Sequence, residues 1–115
     1  MQQTLAKVKH LEKFIQKYGE DIVISQTINK MLEYKIRKYD EEINRLNKEL
    51  KKFERKYKKG SSVFFEQFEK GRLGDDMDFI EWSSLYQMRS RLIEKKAEVT
   101  LKKILSEIEK AIIFH

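Results

Sequence analysis

Cysteine and proline are absent from the 115 residues, and glycine occurs only four times. Without cysteine the chain has no disulfide, no thiolate nucleophile and no cysteine-based zinc site. Without proline, and with so few glycines, little interrupts long helices. No apolar run approaches the ~20 residues that a membrane-spanning helix needs, and the first residues lack the apolar core of a signal peptide. We therefore expect a helical, cytoplasmic protein without membrane attachment.

Groups suited to catalysis are also scarce. The only histidines are His10 and His115, and no serine or threonine lies beside a plausible base. The one carboxylate cluster comprises Asp75, Asp76, Asp78 and Glu81. Asp78 and Glu81 would share a helix face and could hold a hard cation, but capping at a helix N-terminus explains the same acids. We expect no enzymatic activity, no cofactor and no metal site.

The charge is unevenly distributed. Residues 1–60 hold 16 basic and 9 acidic residues, whereas residues 61–115 hold 9 and 10. The segment 48–59 alone has 7 basic and 2 acidic residues, and the segment 64–82 has 2 and 6. A basic patch of this kind either binds nucleic acid or forms a solvated helix face. The candidate nucleic-acid-binding residues are Lys51, Lys52, Arg55, Lys56, Lys58 and Lys59.

A heptad pattern between residues 32 and 57 organises the chain. Apolar residues recur there in alternating steps of four and three, and nearly all other positions are charged or carry an amide. This pattern predicts an amphipathic helix with a narrow seam that needs a partner helix. The seam residues are Leu32, Ile36, Tyr39, Ile43, Leu46, Leu50, Phe53 and Tyr57.

The fold class predicted is all-α, with a long antiparallel helical hairpin resembling a coiled coil. An N-terminal helix is expected over 1–18, and the long heptad helix over 21–58. A corner at 60–75 contains a short aromatic helix over 63–70, with a cap at Ser61 or Ser62. The last helix is expected over 76–112. Ile22–Ile24 is β-branched but has no strand to pair with, so it is interpreted as helix.

The last helix carries a broad apolar pattern that starts at Phe79 and continues to Ile112. It is predicted to be the buried stripe of the hairpin. Its basic residues are expected to lay their aliphatic stems along that stripe, namely Arg89, Lys95, Lys96 and Lys102. One seam cannot cover so much apolar surface. The sequence therefore predicts a homodimer or a hetero-complex, for which a four-helix bundle is the simplest closure.

The densest aromatic group flanks the corner among acidic residues. Two interpretations stay open, a hydrophobic plug that clamps the hairpin end and a docking patch for a basic partner. In the second interpretation the rings are anchors and the acids steer the partner. The candidate partner-binding residues are Phe64, Phe68, Asp76, Phe79, Glu81 and Trp82.

The corner also carries a family resemblance. It contains a short aromatic helix, the turn Gly71-Arg72-Leu73-Gly74-Asp75 and the helix start Glu81-Trp82. This arrangement, over about residues 50–95, resembles small archaeal and bacterial helical proteins that act as antitoxins of two-protein toxin–antitoxin pairs. The resemblance implies a non-enzymatic protein that sequesters a toxin-like partner.

Three functional hypotheses follow. The first is a protein-binding module of the antitoxin type, which would use the acidic aromatic corner and the exposed stripe of the last helix. The second is a coiled coil that binds nucleic acid through the basic face of residues 48–59. The third is a structural homo-oligomeric coiled coil.

Overall fold

Four helices follow one another in the computed structural model, which describes residues 2–113. They are α1 (Gln2–Tyr18), α2 (Ile22–Tyr57), α3 (Ser61–Glu69) and α4 (Met77–Ile113). The long helices α2 and α4 pack antiparallel and supply most of the tertiary contacts. The resulting rod measures 60 × 32 × 22 Å. The predicted all-α hairpin is confirmed, and residues 2–113 contain no strand.

Helix α2 begins and ends with defined caps. The Asp21 carboxylate accepts hydrogen bonds from the backbone N–H groups of Val23 (2.7 Å) and Ile24 (3.4 Å). This cap satisfies donors that have no partner within the helix, so the β-branched residues here form a helical turn. At the other end Lys58 adopts the left-handed conformation, with φ 52°. Its backbone N–H donates to the carbonyl of Glu54.

The heptad pattern of α2 faces α4, as predicted. Leu46 and Leu50 are fully buried, and the other six seam residues are half-buried. Because α2 places these residues on one stripe, a single neighbouring helix is enough to cover them. The periodicity alone therefore identified the inner face of α2 correctly.

Helix α3 closes the corner and is capped by a side chain from α2. It begins at Ser61, two residues before the predicted start, and its N-cap is Gly60. The predicted cap at Ser61 or Ser62 is therefore wrong. The Glu54 carboxylate instead accepts from the Ser61 backbone N–H (2.9 Å) and from its hydroxyl (2.8 Å). The negative charge also complements the positive end of the α3 dipole.

A stack of aromatic rings fills the space between the helices at the corner. Trp82 and Phe64 are fully buried, with ring centroids 3.8 Å apart and planes within 3°. Phe53 and Tyr57 of α2 also stack with the indole, each at 5.7 Å. Such stacking adds to the area burial of large rings. The cluster ties α2, α3 and α4 together at one end of the rod.

The C-terminal part of α4 departs from the expectation. Its apolar residues were predicted to be buried, but five of them are 48 to 75% exposed. The reason is that α4 turns its opposite, polar face towards α2 in this region. These residues, called the α4 stripe below, are Leu101, Ile104, Leu105, Ile108 and Ile112.

Candidate interaction surfaces

The aromatic residues predicted to bind a partner lie mainly inside the corner. Phe64 and Trp82 expose no surface, and Phe68 and Phe79 are half-buried. Rings that are fully packed against other helices cannot anchor a partner in this conformation. The burial of Phe64 and Trp82 fits the hydrophobic-plug interpretation, and partner binding through these two rings stays a prediction. The two predicted acids, Asp76 and Glu81, are exposed.

A different pair of apolar residues points outward at the corner. Met77 and Ile80 are exposed, and with Glu81 they line a shallow groove of about 400 Å³. Successive residues of a helix are rotated by about 100°, so the outward face lies next to the face that carries Phe79 and Trp82. Sequence reasoning missed this pair because aromatic residues were given priority as anchors.

Asp78 joins α4 to the end of α2. Its Oδ2 atom accepts hydrogen bonds from Lys56 Nζ (2.6 Å) and from the Tyr57 hydroxyl (2.5 Å). These two donors stabilise the carboxylate and lower the pKa of Asp78, while the carboxylate raises the pKa of Tyr57 and of Lys56. Asp76 caps α4 by accepting from the Asp78 N–H (2.9 Å). Asp78 thus has a structural role in the hairpin.

The predicted basic patch divides into engaged and free side chains. Lys56 is bound to Asp78, Lys59 donates to Gln67 (2.6 Å), and Lys52 pairs with Glu49 (3.1 Å). The other three predicted residues are Lys51, Arg55 and Lys58. They are exposed and form no ion pair with the described residues. Free cations are therefore concentrated on the outer side of α2.

A polar ladder runs beside the apolar seam between α2 and α4. Arg89 Nη1 donates to Asn47 Oδ1 (2.9 Å), and Lys96 Nζ lies 2.6 Å from Asp40 Oδ1. One heptad further on, Lys103 Nζ lies 3.7 Å from Glu33 Oε1. Each step therefore moves seven residues forward on α4 and seven back on α2. The ladder matches one antiparallel register, because a shift by one helical turn would separate every pair.

The ladder begins at the aromatic corner. One heptad before Arg89 lies Trp82, whose Nε1 donates to Ser61 Oγ (2.9 Å), and Ser61 in turn donates to Glu54. Sequence reasoning noticed that basic residues interrupt the α4 pattern but did not see their spacing. The signal was available as two columns at seven-residue intervals, Glu33-Asp40-Asn47-Glu54 on α2 and Arg89-Lys96-Lys103-Lys110 on α4.

The end of the rod opposite the corner is open. Helix α1 does not pack closely against any other described helix, and the apolar side of α1 is exposed. From Val8 onward α1 runs beside the start of α2, where Ile15, Ile28 and Ser106 line one groove and Val8, Leu11 and Ile28 line another. On the other side of the hairpin a groove of about 810 Å³ is lined by α2 and α4. Buried Asn29 lines that groove, and its Oδ1 accepts no hydrogen bond from the described residues.

None of the helices within residues 2–113 is both long and apolar enough to cross a bilayer. In the same part of the chain, no three histidine or acidic side chains gather where they could share a metal ion. His115 lies outside the described residues.

Comparison with protein-family models, curated proteins and solved structures finds no match to this chain.

Proposed function

We propose that this protein is a non-enzymatic helical module that sequesters a partner protein through the α4 stripe. The observation that supports the proposal most is the exposure of five large aliphatic side chains on consecutive turns of one helix. Contiguous exposed apolar patches of this kind typically mark interaction sites. A partner helix placed along the stripe would contact residues three, four, seven and eleven positions apart.

The extent of the exposed surface supports a large interface. The chain exposes 9092 Å², whereas a compact protein of 14.0 kDa exposes about 6,700 Å². Its radius of gyration is 20.4 Å, compared with about 13 Å for a compact chain of this length. The surplus of about 2,400 Å² is comparable to the area that one partner contributes to a large obligate interface.

The polar corner lies outside this interface. Asp76 and Leu101 are 25 residues apart, which corresponds to about 38 Å along α4. Charges at such a distance are screened at physiological ionic strength, where the Debye length is about 8 Å. We therefore assign the partner contacts to the stripe and none to Asp76 and Glu81. The resemblance of residues 50–95 to antitoxins supports a toxin-like protein as the partner.

A comparison of two double variants tests the proposal. The first variant, Ile104→Lys with Ile108→Lys, changes the stripe. The second, Met77→Lys with Ile80→Lys, adds the same charge to exposed apolar positions at the corner. Tagged wild type and both variants, checked for helicity by circular dichroism, are used to capture partners from the native host's lysate. The captured protein is then expressed with and without this chain to measure growth.

We expect one stoichiometric partner that the corner variant retains and the stripe variant loses. Expressed alone, that partner should arrest growth, and the wild-type chain should relieve the arrest. Equal capture by both variants would overturn the assignment to the stripe. Recovery of the bait alone, with a wild-type dimer that the stripe variant converts to monomer in light scattering, would instead identify a second copy of the chain as the occupant.

A further inference from the structure

The outer side of α2 is basic from residue 30 to the end of the helix, well beyond the segment 48–59. Over residues 30–58 the three heptad positions opposite the apolar seam hold nine basic residues and one acid, Glu41, and the first of the nine, Lys30, also borders the groove between α2 and α4. All nine are exposed. They are called the α2 ridge and comprise Lys30, Arg37, Lys38, Arg45, Lys48, Lys51, Lys52, Arg55 and Lys58.

The ridge results from a division of charge between the two sides of one helix. The acids Glu33, Asp40 and Glu54 lie on the inner side, where they contact α4 or the start of α3. Each acid that faces inward leaves the outer side more positive. A net charge of +6 for the whole chain therefore understates the potential in front of α2.

Most of the ridge is available for a ligand. Lys38, Arg45 and Lys52 form ion pairs with nearby acids of α2. The other six side chains of the ridge form no ion pair with any residue between 2 and 113. Surface ion pairs of this type contribute little stability, so the three engaged cations can also exchange partners.

The geometry fits a long polyanion rather than a small anion. The ridge extends for about 42 Å on a straight helix, with a cationic position at about every 5 Å along the axis. Duplex nucleic acid presents one negative charge per ~1.7 Å of its axis, and a ridge longer than one duplex turn of about 34 Å can contact phosphates at several points where the strands cross it. No deep pocket or built anion site is needed for such contacts, because they are made with the phosphate backbone.

The placement of the aromatic residues favours a duplex over a single strand. Proteins that hold single strands stack the bases on exposed aromatic side chains. Phe53 and Tyr57, which alternate with the basic residues in sequence, face α4 and stack with Trp82. Tyr34 is the only exposed aromatic side chain on the outer side of α2 in the described structure. The ridge thus offers charge without a stacking platform.

We infer that the α2 ridge binds the phosphate backbone of double-stranded nucleic acid without regard to base sequence. This inference is independent of the proposed partner, since the ridge and the α4 stripe lie on the outer sides of different helices. It also revises the residues first suggested for such binding. Lys56 and Lys59 are engaged with Asp78 and Gln67, whereas Lys30 and Arg37 belong to the surface.

Fluorescence anisotropy with the full chain and labelled duplexes of two unrelated sequences provides the test, repeated over a range of salt concentrations. A ridge variant carries Lys51→Gln, Arg55→Gln and Lys58→Gln. A matched control carries Arg91→Gln, Lys95→Gln and Lys102→Gln, which remove the same charge from exposed positions of α4. A third variant, Lys30→Gln with Arg37→Gln, tests the distant part of the ridge. A single strand of equal length and vesicles of anionic lipid are compared as ligands.

We expect both duplexes to bind equally, with affinity that falls steeply as salt rises. Each lost phosphate contact should reduce the steepness of log affinity against log salt by about 0.9. The ridge variant lacks three cations, so its slope should be shallower than that of the wild type by about 2.7. At about 0.1 M salt, one decade below the concentration at which the electrostatic contribution vanishes, the affinity of the ridge variant should fall by about 500-fold. The distant variant should lose about 1.8 from the slope, and the control should retain most of the wild-type affinity.

Three results would overturn the inference. The first is no binding of either duplex by the wild type at low salt. The second is an equal loss of affinity in the ridge and control variants, which would mean that only net charge matters. The third is stronger binding of the single strand or of the vesicles than of the duplexes, which would assign the ridge to a different ligand.

Discussion

The hydrogen-bonded chain from Trp82 through Ser61 to Glu54 leads to a stability prediction with a clear magnitude. Ser61 is 2% exposed and Trp82 is fully buried. In Ser61→Ala the indole N–H loses its acceptor in a site that water does not reach, which costs about 1–3 kcal/mol. The Glu54 carboxylate also loses the hydroxyl but keeps the backbone N–H of residue 61. We expect a total loss of about 2–4 kcal/mol in the free energy of unfolding.

A double-mutant cycle separates the orphaned donor from other effects. Trp82→Phe removes the indole N–H together with part of the ring, so it is destabilising for reasons of packing. In the double variant Ser61→Ala with Trp82→Phe no buried donor remains without an acceptor. Its loss of stability should therefore be smaller than the sum of the two single losses by about 1–2 kcal/mol.

Urea unfolding followed by circular dichroism is the appropriate assay, because Trp82 is the only tryptophan and one variant removes it. Protein concentration must be the same throughout, since self-association would add to the apparent stability. The exposed neighbour provides the control, and Ser62→Ala should stay within about 0.5 kcal/mol of wild type. Additive losses in the cycle, or a Ser61→Ala variant as stable as the control, would refute the reasoning.

Three further predictions concern the seam, the ladder and the end of α2. Leu46→Ala should lower the free energy of unfolding, measured with urea, by about 2–5 kcal/mol, because it opens a cavity at a fully buried position. A loss below about 1 kcal/mol would contradict the packing described. Asp40→Lys should lower the free energy of unfolding by about 0.5–1 kcal/mol through repulsion from Lys96, a small loss because both side chains are partly exposed. The exchanged pair, Asp40→Lys with Lys96→Asp, should recover most of that loss. No recovery would exclude the ladder contact. Since its pKa is raised, Tyr57 should stabilise the fold below the ordinary tyrosine pKa and lose that contribution as pH rises through the folded value. The lowered pKa of Asp78 acts in the acid range, where its contribution is lost as pH falls through the folded value. Ultraviolet titration should show one tyrosine ionising late in the wild type and earlier in Asp78→Asn, and identical titration curves would argue against the hydrogen bond.

Local sequence patterns predicted much of the fold. The heptad seam of α2 depends on spacing within one helix, and each of its residues is buried or half-buried. The cap at Asp21 and the helical state of Ile22–Ile24 also follow from neighbouring residues. The surfaces were harder to predict, because Phe64 and Trp82 combine the features of core residues with those of interface anchors. Only their position between three helices distinguishes the two roles.

The sequence by itself determined that the chain forms long helices, that α2 has one apolar side and that the surplus apolar surface is large. The tertiary structure decided which side of α4 faces α2. That helix carries apolar residues around much of its circumference, so its own periodicity does not select a partner face. The choice is made by long-range complementarity, in which the aromatic corner sets the register and the basic column of α4 then meets the acidic and amide column of α2. Because α4 is one continuous helix, the face that packs in the aromatic corner also determines which face meets α2 further along, and the α4 stripe lies on the opposite side.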